Sequence, residues 1–213
     1  MTDEIDDAAQ QRSDEELVWR CVASQAGPEL KLFGVRFDEM EHPRSHEVMQ
    51  RLVLTSVDWV NVVAVTDRGA VVMVRQYRFG AGYTTLETPG GMVDPGEEPL
   101  AAAQRELAEE TGYSGGDWSY LGAVEPNPAF HDHLCHHYLA RNVLHTQQQQ
   151  LGAGELIRVE LMSEQLVRQA VLDGTIRHSL ALSALSRVYE LWSRPYSQPQ
   201  SEPLRRRTNR TGH

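Results

Sequence analysis

The chain has 213 residues, 40% of them hydrophobic, and a formal net charge of -10. That is enough apolar material for one cored domain with extensions, and too acidic a balance for a surface built to hold a nucleic acid backbone. No apolar run approaches the roughly 18–20 residues of a membrane helix, MTDEIDDAAQ at the start lacks the apolar region of a secretory signal, and Cys21 and Cys135 form neither a disulfide framework nor a metal spacing, so the reading is cytoplasmic with reduced thiols and no membrane partner.

Residues 1–16 set Asp3, Glu4, Asp6, Asp7, Asp14, Glu15 and Glu16 against Arg12 alone and read as an acidic, disordered tail. Residues 17–57 read as an N-terminal strand region: CVASQ and Leu30–Met40 alternate like a strand pair, and so does Arg51–Val57. Trp59–Thr66 and Ala70–Tyr77 are β-branched runs on either side of Asp67-Arg68-Gly69, which predicts a hairpin. A helix is predicted over Pro99–Thr111, then strands at Trp118–Val124, Leu134–Val143 and Leu156–Met162. Gln147–Gln150, beside Gly152 and Gly154, reads as a mobile loop. Helices are predicted at Ser163–Leu172 and His178–Trp192, parted by Gly174, and residues 193–213 read as a basic, disordered tail. Strands segregated from helices predict an α+β fold, a mixed sheet flanked by helices over 58–192 with a β extension before it.

The chemistry concentrates in GGMVDPGEEPLAAAQRELAEETGY, Gly90–Tyr113. Asp94-Pro95-Gly96 is a turn, Pro99 suits the first helical turn, and Gly112 suits the left-handed position after the last. Leu100, Ala103 and Leu107 make one apolar stripe. At about 100° per residue, Glu106, Glu109 and Glu110 share an arc of about 100°. Three carboxylates so placed repel by a few tenths of a kcal/mol per pair, and the stretch has no lysine to relieve them. A solvated helix face is the plain reading. A site for a hard cation such as Mg²⁺ or Mn²⁺, which favours oxygen ligands, is the alternative, and the preceding glycines support it by bringing backbone close to the same face.

Gly91, Glu97 and then Arg105-Glu106-Leu107-Ala108-Glu109-Glu110-Thr111-Gly112 fill every fixed position of the signature box of the Nudix hydrolases, and the chain resembles that family in element order from about Trp59 to Trp192. The resemblance implies an α/β/α sandwich with a loop-helix-loop metal site. It also implies that Glu106, Glu109, Glu110 and the carbonyl of Gly90 hold Mg²⁺, with Mn²⁺ as a second possibility, while Arg105 orients the glutamates and Glu97 braces the loop. In the branch that hydrolyses ADP-ribose, the general base often comes from a loop before a Glu-x-Ile-x-Val strand. Glu155-Leu156-Ile157-Arg158-Val159 makes Glu155 the candidate here, with Glu109 as the alternative.

Val74–Gly91 resembles the strand that enters the box in ADP-ribose and nucleoside-diphosphate-sugar pyrophosphatases, which implies that Arg78 contacts the substrate diphosphate and Glu87 the substrate's sugar or the metal. Arg75 is a further candidate, although strand alternation turns it and Arg78 to opposite sides unless a bulge intervenes. Pro128, 15 residues after Tyr113, fits the ADP-ribose branch, whereas Pro126–Ala140 lacks the glutamate expected there. GDP-mannose and ADP-glucose therefore compete with ADP-ribose as substrate. His131 and His133 are candidate donors to phosphate or a sugar hydroxyl. The resemblance also implies a homodimer joined through the N-terminal strands. Non-hydrolytic nucleotide binding or sensing is the rival function.

Overall fold

The computed structural model describes residues 16–192, so nearly all of the predicted acidic tail and the whole basic tail lie outside the described residues. Three strands, β1 (Arg20–Glu29), β2 (Gly34–Glu41) and β3 (Val48–Thr55), form an antiparallel sheet of their own in the order β1-β2-β3. The remaining strands are β4 (Trp59–Thr66), β5 (Val71–Arg78), β6 (Tyr83–Glu87), β7 (Tyr113–Ser114), β8 (Asp117–Val124), β9 (Cys135–His145) and β10 (Ile157–Met162). They make a mixed sheet in the order β10-β5-β4-β9-β7, with β6 beside β5 and β8 beside β9; only β4 and β9 run parallel.

β4 and β5 read as continuous apolar runs because both faces of the sheet are covered. Val60, Val62, Ala64 and Val72 face helix α1 (Pro99–Thr111) through Ala102, Ala103 and Leu107. Val63, Val71 and Met73 point the other way, against α2 (Glu164–Leu172) and α3 (Ser179–Ser186). The result is the three-layered sandwich that the resemblance implied.

Ser163 caps α2 by accepting the Leu166 N–H, and His178 does the same for α3 through the Ala181 N–H. The predicted helix from His178 to Trp192 is shorter than its apolar pattern suggested. It stops at Ser186, where Val188 and Tyr189 both donate to the Leu185 carbonyl and Arg187 reaches across to the carbonyls of Leu121 and Ala123. Strand β6 was not predicted, being only five residues long and preceded by Gly80 and Gly82.

The N-terminal sheet is stitched to the larger one by the segment before β9. Leu54 N–H donates to the Phe130 carbonyl at 2.7 Å, Asp132 N–H donates to Leu54, and Arg36 pairs with the Asp132 carboxylate. Among the described residues no helix is long and apolar enough to cross a membrane.

Candidate active site

The site begins where two strands part. β4 and β5 pair only at Ala64–Val72 and Val65–Val71, so beyond that point they diverge. The chain leaving β6 fills the gap: Val62 N–H donates to the Pro89 carbonyl and Val60 N–H to the Gly91 carbonyl, each at 2.9 Å. Gly90, between them, donates its N–H to Glu110 Oε2 at 3.0 Å. A β-carbon on Gly90 would strike the Val60 carbonyl, and one on Gly91 would strike the Glu106 carboxylate. This close approach of backbone to β4 and to the helix is why the segment opens on two glycines.

Helix α1 presents the carboxylates. Pro99 stands in its first turn and Gly112 closes it in the left-handed conformation, with φ 76°. Glu110 is buried at 5% exposure, the Glu106 side chain is 15% exposed and that of Glu109 is 42% exposed. Burial pushes the Glu110 carboxyl up to about 8; Glu106 and Glu155 add like charge, while the Gly90 N–H and Arg78 oppose the rise. Burial also raises Glu106, against its hydrogen bond from Arg105.

Arg105 holds the group in place. Its Nε and Nη2 donate to Glu97 at 3.1 and 2.9 Å, Nη1 to Glu106 at 2.9 Å and Glu109 at 3.3 Å, and Nη2 also to the Met92 carbonyl. Glu97 in turn accepts the Asp94 N–H. One guanidinium thus ties the glycine loop to two helix carboxylates.

Three oxygen-bearing side chains on one helical arc, two of them with carboxyl pKa values raised by burial, fit a hard divalent cation: it would supply the positive charge that the buried carboxylates lack. Among the described residues no three His, Cys, Asp or Glu side chains close on a single point as a preformed cage.

Arg78 and Glu87 come together on the α1 side of the sheet. Thr85 donates to Glu87 and His178 Nε2 lies 3.7 Å from it. Glu87 is 1% exposed, with both oxygens engaged by Arg78, so it braces Arg78 and is not itself open to a substrate, contrary to expectation. Arg75 is a second correction. The β5–β6 register runs without a bulge, and Arg75 lies on the opposite face, paired with Glu160 at 2.8 Å. The third concerns the histidines. His133 is 2% exposed and lies against Trp59 (4.4 Å between centroids) and stacked His131 (5.1 Å), with Phe33 of the N-terminal segment beside them. These rings fill the seam between the two sheets and do not stand on a free loop.

Glu155 is exposed; it accepts the Gly152 N–H at 2.8 Å, and its charge is felt by both Glu106 and Glu110. Sequence reasoning missed Thr85 and His178. His178 was legible only as the start of a helix, and nothing in the sequence pointed to its neighbour across the fold.

Residues 56–182 match the NUDIX domain. The chain belongs to the NUDIX family. It is 30% identical over 160 residues to an ADP-ribose pyrophosphatase of Bacillus subtilis (strain 168), covering 75% of this chain and 80% of that protein. It is 31% identical over 176 residues to an ADP-ribose pyrophosphatase of Mycobacterium tuberculosis (strain ATCC 25618 / H37Rv), covering 79% and 82%. A crystal structure of an ADP compounds hydrolase superposes with a TM-score of 0.71 at 20% identity, over 81% of this chain and 92% of the other, a likeness of fold. The Nudix box residues are those that the structure gathers on α1 and the glycine loop.

Proposed function

We propose that this Nudix protein hydrolyses the diphosphate bond of ADP-ribose or a related nucleoside diphosphate sugar, releasing a nucleoside monophosphate and a sugar phosphate, with Mg²⁺ or Mn²⁺ as cofactor. The observation that carries the proposal is Glu110: a carboxyl group 5% exposed, hydrogen-bonded to Gly90 N–H and flanked by Glu106, whose ionised form a bound cation would favour against burial and like charge. The pyrophosphatase names of the relatives matched over three quarters of the chain support the substrate class.

In this reading Glu106, Glu109 and Glu110, with the Gly90 carbonyl, hold the cation, which when bound polarises the phosphoryl oxygens and activates water. Arg105 keeps the carboxylates in register. Arg78, pinned by Glu87 but with a side chain 42% exposed, contacts the substrate diphosphate. Glu155 takes the proton from the attacking water, and Glu109 is the alternative base. The chain works as a cytoplasmic homodimer. Almost all of β1 is exposed, and Val22, Leu30, Leu32 and Leu52 leave apolar area on the N-terminal sheet for a second copy to cover.

The test is Mg²⁺-dependent release from ADP-ribose, ADP-glucose, GDP-mannose and UDP-glucose, with Glu110→Gln alongside. Cleavage of one conjugate to a monophosphate and a sugar phosphate, abolished in the variant, is the expected result. Nucleotide binding without cleavage under Mg²⁺ or Mn²⁺ would overturn it in favour of a sensing role.

A further inference from the structure

The glutamine run was expected to be mobile; instead it is bonded to the end of the carboxylate helix. An α-helix leaves its last carbonyls without partners. Here Gln147 Nε2 donates to the Ala108 carbonyl at 3.3 Å, Gln150 N–H to the Glu109 carbonyl at 2.8 Å, and Gln149 Nε2 to the Glu110 carbonyl at 2.5 Å. Thr146 and Gln147 add their N–H groups to the Gly112 carbonyl. Two of these acceptors, the carbonyls of Glu109 and Glu110, belong to the carboxylate residues themselves.

Gln149 does more than cap. The same Nε2 also donates to the Ile157 carbonyl at 3.3 Å, at the first residue of β10. Both partners are acceptors, so the amide must present its NH₂ end, and only a side chain with two donors on one atom can serve both. Ile157 is held in turn to Gln76 of β5. Gln149 therefore closes the neck of the loop Gln150–Leu156, which contains Gly152, Gly154 and Glu155. Inside the loop Glu155 N–H donates to the Gly152 carbonyl and the Glu155 carboxylate accepts the Gly152 N–H, a local turn whose place relative to the helix is set at that neck.

We infer that Gln149 is a positioning residue: its amide couples the helix that carries Glu109 and Glu110 to the loop that carries Glu155, and so sets where the Glu155 carboxylate stands relative to the helix carboxylates. The inference rests on the proposed hydrolysis and on Glu155 as its base. A displacement of about 1 Å in a reacting group is enough to cost on the order of 10²-fold in rate.

The test is a double-mutant cycle of Gln149→Met, which keeps length and removes both donors, with Glu155→Gln, accompanied by hydrogen exchange on the metal-free proteins. Gln149→Met should lower kcat by about tenfold or more, with KM and Mn²⁺ affinity within about twofold of the parent. In the Glu155→Gln background the same change should cost nothing further, because the group it positions is already gone. Exchange should rise in Gln150–Leu156 and stay unchanged in β4. Unchanged kcat in Gln149→Met, additive losses in the cycle, or an active Glu155→Gln would each overturn the inference while leaving hydrolysis intact. Should Gln149→Met unfold, Gln149→Asn, which keeps the uncharged amide but is one methylene too short to span both carbonyls, replaces it in the same cycle and exchange measurement, with the same criteria. A parent protein that cleaves no diphosphate conjugate would instead refute the proposed function.

Discussion

Arg78 and Glu87 meet side by side, Nε to Oε1 at 2.8 Å and Nη2 to Oε2 at 2.6 Å, with the carboxylate 1% exposed and the guanidinium reaching partly into solvent. Burial alone would raise the Glu87 pKa; the Arg78 pairing outweighs it and holds the carboxyl below the usual carboxylate range. The pair is asymmetric: one member is sealed in the fold and the other is available to a ligand.

Removing the available member therefore has two consequences. Arg78→Ala should raise KM for a diphosphate substrate by about tenfold or more, through the lost charge-assisted contact. It also strands Glu87, at a cost of about 2 kcal/mol, the low side for a broken buried pair because Arg78 is partly exposed. A drop in Tm of about 4–8 °C should accompany it. The parent's Glu87 contribution is present above the unfolded carboxyl value of 4.5 and is lost as pH falls through the lower folded value, so the gap between parent and variant should narrow in acid. Parallel kinetics and melts across pH 3–7 measure both effects; an unchanged KM would remove Arg78 from the substrate site.

Glu110 predicts the opposite slope. Its folded pKa, about 8, lies above the unfolded 4.5, so between those values the folded protein binds more protons than the unfolded chain. The contribution of this group to the stability of the metal-free protein should be fully present below pH 4.5 and decline as pH rises through about 8. Glu110→Gln, which cannot ionise, should flatten that decline. Melts of chelator-treated protein at pH 5, 6.5 and 8 check it. Mg²⁺ should restore more stability at pH 8 than at pH 5, where it must displace a proton.

The contrast between these groups explains what the sequence made legible. Helix α1, its cap at Gly112 and the arc of Glu106, Glu109 and Glu110 are local facts, written in a spacing of three and four residues, and they were read correctly with their boundaries. Partnerships between distant segments were not legible. Glu87 is brought to Arg78 by a strand too short to recognise, and His178 to Glu87 by packing of α3. Gln149 bonds to Glu110 and Ile157 across the loop. His133 misled because a histidine-rich stretch looks the same whether it faces solvent or the seam with Phe33 and Trp59. Alternation did signal that Arg75 and Arg78 part company, and the regular β5–β6 register agrees.

The seam itself is testable. Neither ring nitrogen of His133 has a hydrogen-bond partner among the described residues, and burial holds its pKa below the usual 6.5. The unfolded chain thus takes up a proton that the folded one refuses, and stability should fall as pH drops below 6.5. His133→Phe keeps the aromatic contacts with Trp59 and Phe33 and removes two unsatisfied polar atoms, so it should be neutral or stabilising at pH 7 and clearly stabilising at pH 5. A variant less stable than the parent at both pH values would mean that His133 has a partner the protein needs.

The two glycines at the head of the box should fail in different ways when each is replaced by alanine. At Gly90 the new methyl meets the Val60 carbonyl and the Asn61 Cα, fixed backbone of a central strand that cannot retreat. Gly90→Ala should therefore cost about 1–3 kcal/mol or more in stability and lose activity as a consequence of lost fold. At Gly91 the three atoms nearest the methyl all belong to the end of the Glu106 side chain, which can swing away. Gly91→Ala should keep its Tm within a few degrees of the parent yet lose activity by about 10²-fold, because the displaced carboxylate leaves Arg105 and its place beside Glu109 and Glu110. Comparing Tm with kcat for the two variants separates the cases. If Gly91→Ala were fully active, the position of Glu106 beside the loop would have no part in the chemistry, and the carboxylate face of α1 would be reduced to Glu109 and Glu110.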